Sequence, residues 1–166
     1  MIVRAAARIT GCADIVVIGT NALHALEPPL DPELLVGDGV DLFALGHAEM
    51  GDRIDDALGA GSMFDEAHGV HARAVGPLTP VAPARWMERL IRRELGDGVT
   101  AHCMEPHDLV VSKLVVARGK DLDIALETIA SGSVERDRLL ERVDLLEDES
   151  PERLEELRSL ILRVSA

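Results

Sequence analysis

The stretch IVVIGTNAL, Ile15 to Leu23, decides the fold. Four consecutive β-branched residues between Asp14 and Gly19 predict a short strand buried on both faces, inside a sheet that helices cover. Gly19 and Thr20 then supply a turn, and Asn21 to Leu26 predicts a short helix stopped by Pro28 and Pro29. Working outward, residues 2–10 predict a helix that Gly11 ends. Downstream, Glu27 to Asp38 reads as an acidic, proline-containing connection. In GVDLFAL, Gly39 to Leu45, the alternation of Val40, Leu42 and Ala44 with Asp41, Phe43 and Leu45 predicts a second strand.

Further along, Glu49 to Leu58 predicts a helix closed by Gly59. Val70 to Val75 predicts a third strand before Gly76-Pro77, Trp86 to Leu95 a short helix or turn, and Val99 to Met104 another strand. Pro106 stands where a helix would take its first residue, with Asp108 in its first turn. That helix extends to about Ala117, and Gly119 separates it from a second over Lys120 to Ala130. Val134 to Leu146 is amphipathic, and Ser150-Pro151 opens a last helix carrying Leu154, Leu157, Leu160, Ile161 and Val164 at helical spacing. The mixture predicts an α+β (α/β) domain over residues 1–131 and a helical extension over 132–166 packed on it.

Composition limits the function. The 166 residues are 47% hydrophobic, which predicts a folded core rather than disorder. No apolar run approaches the roughly 20 residues of a membrane span, and the N-terminal stretch does not fit a secretory signal. Cys12 and Cys103 lack CxxC spacing and read as buried small hydrophobes in a reducing, cytoplasmic setting. A net charge of −13 opposes non-specific coating of nucleic acid, and two Phe, one Trp and no Tyr make no base-stacking platform. An anionic ligand then needs a local basic pocket.

Three features meet that need. The missing side chain at Gly19 lets a phosphate approach the turn, and the N-terminus of the helix that follows would favour an anion. Asp41, set among apolar residues, needs a partner or a metal. Asp38 lies three residues before it, so a regular strand cannot turn both to one face, whereas a bulge at Gly39 would. Lys113, in the apolar run LVVSKLVVA, either reaches the surface or enters a pocket. Arg118 and Lys120 flank Gly119 in a bend, and Asp121 is placed to pair with Arg118. The competing reading of this cluster is an ion-pair network fixing a helix–helix junction. Gly59-Ala60-Gly61-Ser62 lacks the ending of a P-loop and reads as a helix end. His68, His71, His102 and His107 match no zinc spacing.

Four blocks, RAAARITG…IVVIGTNAL, GVDLFAL, GAGSMFDEAHGVHARAVGP and EPHDLVVSKLVVARGKDLDIA, span about residues 4–130. On them the chain resembles a bacterial and archaeal family of uncharacterised proteins with a nucleotidyltransferase-like fold, distantly related to the AbiEii toxin group. The resemblance implies a polymerase-beta-like mixed sheet flanked by helices, nucleotide transfer from a nucleoside triphosphate to a protein or RNA acceptor, and magnesium held by an acid-x-acid pair. By position it makes Asp41 the second acid of the pair and matches Lys113, Arg118, Lys120 and Asp121 to its helical block. Joined with the reading of the residues above, the candidates are Asp38 and Asp41 for the metal, Asp41, Lys113 and Asp121 for catalysis, and Gly19, Thr20, Arg118 and Lys120 for the substrate. Relatives place an acid where this chain has Gly39, and no third strand acid is evident, with Glu105 a distant candidate. The alternatives are therefore a catalytically lapsed nucleotide-binding or interaction module, for instance of a toxin–antitoxin pair, and a homodimer built on the C-terminal helices.

Overall fold

The computed structural model describes residues 1–25, 37 and 39–164. It is an α+β fold built on a five-stranded mixed sheet. Helix α1 (Ile2–Thr10) ends at Gly11, whose positive φ of 72° forms the left-handed cap that glycine adopts without strain. Strand β1 (Asp14–Ile18) buries Ile15 to Ile18, so the central strand is covered on both faces, as its unbroken apolar run requires. Strand β2 (Gly39–Ala44) runs antiparallel to it, and β3 (His71–Ala74) runs parallel to β2. On the other side β5 (Val99–Cys103) is parallel to β1, and β4 (Ile91–Gly96) forms the edge, giving the order β3-β2-β1-β5-β4.

Several expectations change. The segment expected as a helix from Asn21 to Leu26 is a six-residue 3-10 segment, Thr20–Ala25, as far as the described residues extend. Trp86 to Leu95 is not one short helix or turn. Trp86–Arg89 makes a 3-10 turn, and the chain then enters β4. The overlooked signal is Asp97-Gly98, both at positive φ (54° and 74°), the two-residue turn whose twist suits an antiparallel hairpin. The expected helix from Glu49 becomes a 3-10 turn, Ala48–Met50, followed by α2 (Gly51–Leu58). A further helix, α3 (Met63–His68), follows the glycine-rich stretch, where the Ser62 hydroxyl accepts from the Asp65 amide.

Helix α4 (Pro106–Val116) is buried at every position from Pro106 to Leu114. It joins two cores. Leu109 belongs to the sheet core with α1 and α2 residues, whereas Val110, Val111 and Leu114 pack with α5 (Gly119–Ala130), α6 (Arg136–Val143) and α7 (Pro151–Val164). The helical layer thus begins within α4, before residue 132, because a helix wedged between two apolar layers must be apolar almost all round. Helix α6 is shorter than its predicted span of Val134 to Leu146, although Val134 and Leu146 still join that core. The last helix starts as expected, with the Ser150 hydroxyl accepting from the Arg153 amide. Among the described residues no helix is long and apolar enough to cross a membrane.

Candidate functional site

A cleft of about 740 Å³ opens at the end of the sheet where β1 runs out and β2 begins. Gly19, Thr20, Asp41, Lys113, Arg118, Lys120 and Asp121 all line it. The sequence-predicted turn and the sequence-predicted cations, nearly a hundred residues apart, therefore face one space. Asp38 lies outside the described residues.

The turn is built by exclusion. Gly19 has φ 67°, which favours glycine, and a Cβ there would lie 2.7 Å from Asp41 Oδ2, so any other residue would also displace that carboxylate. The Asp41 carboxylate reaches this point because Asp41 pairs with Ile18, the residue before the turn. Beyond it, Asn21 Nδ2 donates to the Gly39 carbonyl at 3.0 Å and ties the turn to β2. The short 3-10 segment after Gly19 supplies little of the aligned dipole expected of an α-helix start, so anion attraction must come from side chains.

Those side chains stand on two walls. Lys113 is almost wholly buried and its Nζ lies 2.6 Å from Asp121 Oδ1, bridging α4 to α5. Asp121 thus pairs with Lys113 and not, as expected, with Arg118. Helix periodicity places Arg118 three residues away, but Ala117 is left-handed (φ 49°) and Arg118 is extended, so the chain turns between the helices and the spacing loses its meaning. Arg118 and Lys120 are exposed at the cleft rim.

The opposite wall carries a residue the sequence reading missed. Arg73 Nε lies 2.8 Å from Asp41 Oδ1, and Arg73 lines the cleft. The parallel register sets Gly39 beside His71 and Asp41 beside Arg73 without interruption, so no bulge forms at Gly39. The signal lay in HARA: His71 and Arg73 are two apart and share a strand face, but only the register reveals which face meets Asp41.

Near the N-terminus of α4 lies a second polar group, away from the cleft lining. The Asp108 carboxylate is fully buried between Arg89, bound through two nitrogens at 2.8 and 2.9 Å, and Arg142 Nε at 3.1 Å. Burial pushes the Asp108 carboxyl above its usual range, against the pull of the guanidiniums. Glu105, the distant candidate for a third acid, is instead the cap of α4. It accepts from the His107 and Asp108 amides and sits 2.5 Å from His107 Nδ1. Burial raises its carboxyl, but the contact with His107, the Asp108 amide and Arg142 outweigh it and leave it below the usual range. His107 Nε2 in turn accepts from the Glu135 amide at 2.9 Å, so His107 holds α6 to α4.

The remaining candidates do not converge. Among the described residues no group of three or more His, Cys, Asp or Glu is placed to hold a metal ion. His102 pairs with Asp14 at 2.7 Å, and His71 lies 3.7 Å from Asp65. Cys103 is buried, which pushes its thiol up, and Cys12, expected to be buried, is only half-buried; neither is in a disulfide. No protein-family model, curated protein or solved structure matches the chain.

Proposed function

We propose that the cleft binds a nucleoside triphosphate, in a nucleotidyltransferase-like domain whose metal-dependent transfer has lapsed. The observation that carries this reading is the convergence of the Gly19 turn with Arg73, Lys113, Arg118 and Lys120 in a chain of net charge −13. Four cationic side chains stand there against two carboxylates, Asp41 and Asp121, among the described lining residues. A compact polyphosphate samples that local field. A long polyanion meets the whole acidic surface, which screening beyond about 8 Å at physiological salt does not remove at close approach.

The magnesium that the resemblance implies does not fit this donor set. Of the described residues on β2 only Asp41 offers a carboxylate there, it is bridged to Arg73, and position 39 has no side chain. A hard divalent ion needs several oxygen ligands, commonly including one or two carboxylates, and a guanidinium beside the first of them opposes it. One observation favours the transfer reading instead: Asp41 Oδ2 stands directly against the Gly19 turn, where a phosphate would come closest. Transfer of label from an α-labelled triphosphate to a protein or RNA acceptor would establish that reading over ours.

Binding is tested by titrating labelled triphosphate and labelled duplex DNA against wild type, Arg118→Ala and the Lys113→Ala/Arg118→Ala double variant. Wild type should bind triphosphate, the exposed Arg118→Ala should weaken it, and the double variant should lose about tenfold or more. Duplex should bind weakly at physiological salt. Tight, salt-sensitive duplex binding, or unchanged triphosphate binding in the double variant, overturns the reading.

A further inference from the structure

Positions 39 and 41 share a face of β2, and their neighbours in register, His71 and Arg73, share a face of β3. A Cβ built on Gly39 would stand 3.0 Å from His71 Nε2 and 3.3 Å from Arg73 Nε. The place of one strand carboxylate is thus bordered by an imidazole and a guanidinium. The other carboxylate, Asp41, is bridged at 2.8 Å to that same guanidinium. This wall of the cleft supplies its own cation.

We propose, resting on the triphosphate reading above, that Arg73 takes the role of a divalent cation: polyphosphate enters without metal and draws Arg73 from Asp41. The exchange is chemically reasonable on three counts. A guanidinium has five N–H donors in a planar fork that matches phosphate oxygens, and Asp41 meets it only through an ion-pair contact at Nε. The Arg73 side chain is 63% exposed, so its ion pair is of the weak, solvent-screened kind and its reorientation meets little packing. Phosphate carries more charge than the single carboxylate it displaces. Asp41 then becomes a competitor of the ligand: it holds Arg73 in the empty cleft and repels the polyphosphate when it arrives.

The test is calorimetric titration of the whole chain with ATP and with inorganic tripolyphosphate, in EDTA and in magnesium. Binding should be at least as tight in EDTA, because magnesium neutralises part of the charge that Arg73 would meet. Arg73→Gln should weaken binding in EDTA about tenfold or more. Asp41→Asn should tighten it, a gain that an unfolded variant cannot give. Binding that requires magnesium, or that Arg73→Gln leaves unchanged in EDTA, overturns the inference. If that magnesium-dependent binding is still lost in Lys113→Ala/Arg118→Ala, the triphosphate reading stands and the role of Arg73 alone falls. No binding of either ligand in either condition overturns both.

Discussion

Two ionic clusters flank α4, built from the same chemistry and put to opposite ends by burial. At its N-terminus Asp108 is 0% exposed and held by Arg89 and Arg142, which are 21% and 17% exposed. In the cleft, Arg73 is 63% exposed and Asp41 26%. A pair whose carboxylate water cannot reach is fixed, because separating it leaves that charge unsolvated. A pair that water reaches can exchange partners at little cost. The Asp108 cluster also anchors the chain around it. Arg89 donates to the Ala84 carbonyl, and the Ala84 amide donates to the Leu145 carbonyl just after α6. The segment leading up to it lines the cleft through Thr79 and Pro80, so the fixed cluster positions one border of the exchangeable one.

The largest expected effect separates the two directly. Asp108→Ala removes the carboxylate and leaves two largely buried guanidiniums facing each other, which should cost about 3–5 kcal/mol in urea unfolding. A loss below about 1 kcal/mol would show that the limited exposure of Arg89 and Arg142 is enough to solvate them, and the contrast between the clusters would fail.

The sequence displayed the exchangeable region better than the fixed one. The unbroken run at Ile15 to Ile18, the alternation after Gly39 and the Pro106 start are local patterns, and they place β1, β2 and α4 close to where they lie. The Gly19 turn and the Lys113 to Lys120 segment were visible for the same reason, each being an oddity within its own few residues. Arg73 was not, because its significance depends on which strand lies beside β2 and in what register. The Asp108 cluster was hidden more deeply. Its three members sit at positions 89, 108 and 142, on a 3-10 turn and two helices, and no periodicity links them. Asp108 itself looked like an ordinary first-turn acid favoured by the helix dipole, which gives no hint of burial.

A smaller effect, and one with a defined pH signature, belongs to Glu105 at the edge of the fixed cluster. Its folded pKa is lowered, so its contribution is present above the unfolded value of about 4.3 and is lost as pH falls through the folded value. Glu105→Gln should therefore cost about 1–2 kcal/mol near neutrality, through the weakened cap and the lost contact with His107, and progressively less as the buffer is acidified. Asp108 has the opposite sign. Its raised pKa contributes stability below about 3.8 that is lost as pH rises, so the two carboxylates oppose each other on the acid limb. Unfolding curves for wild type and Glu105→Gln at several pH values check this. A difference between them that grows toward low pH would contradict the assignment of Glu105 as the ionised cap.

The smallest effect is expected in the cleft, and its smallness is the point. Arg73→Gln breaks the bridge to Asp41, but the carboxylate left behind is 26% exposed and can be hydrated, whereas Asp108, at 0%, lies beyond water. Measured exposed pairs contribute about 0–1 kcal/mol, because the entropy lost in holding two long side chains offsets most of the screened attraction. The unfolding free energy of Arg73→Gln should consequently lie within about 0.5 kcal/mol of wild type. The same substitution is expected to weaken polyphosphate binding, so one residue is predicted to matter for the ligand and hardly at all for the fold. A stability loss approaching that of Asp108→Ala would mean that the Asp41–Arg73 bridge holds β2 to β3, and that a ligand could take Arg73 only by loosening the sheet edge.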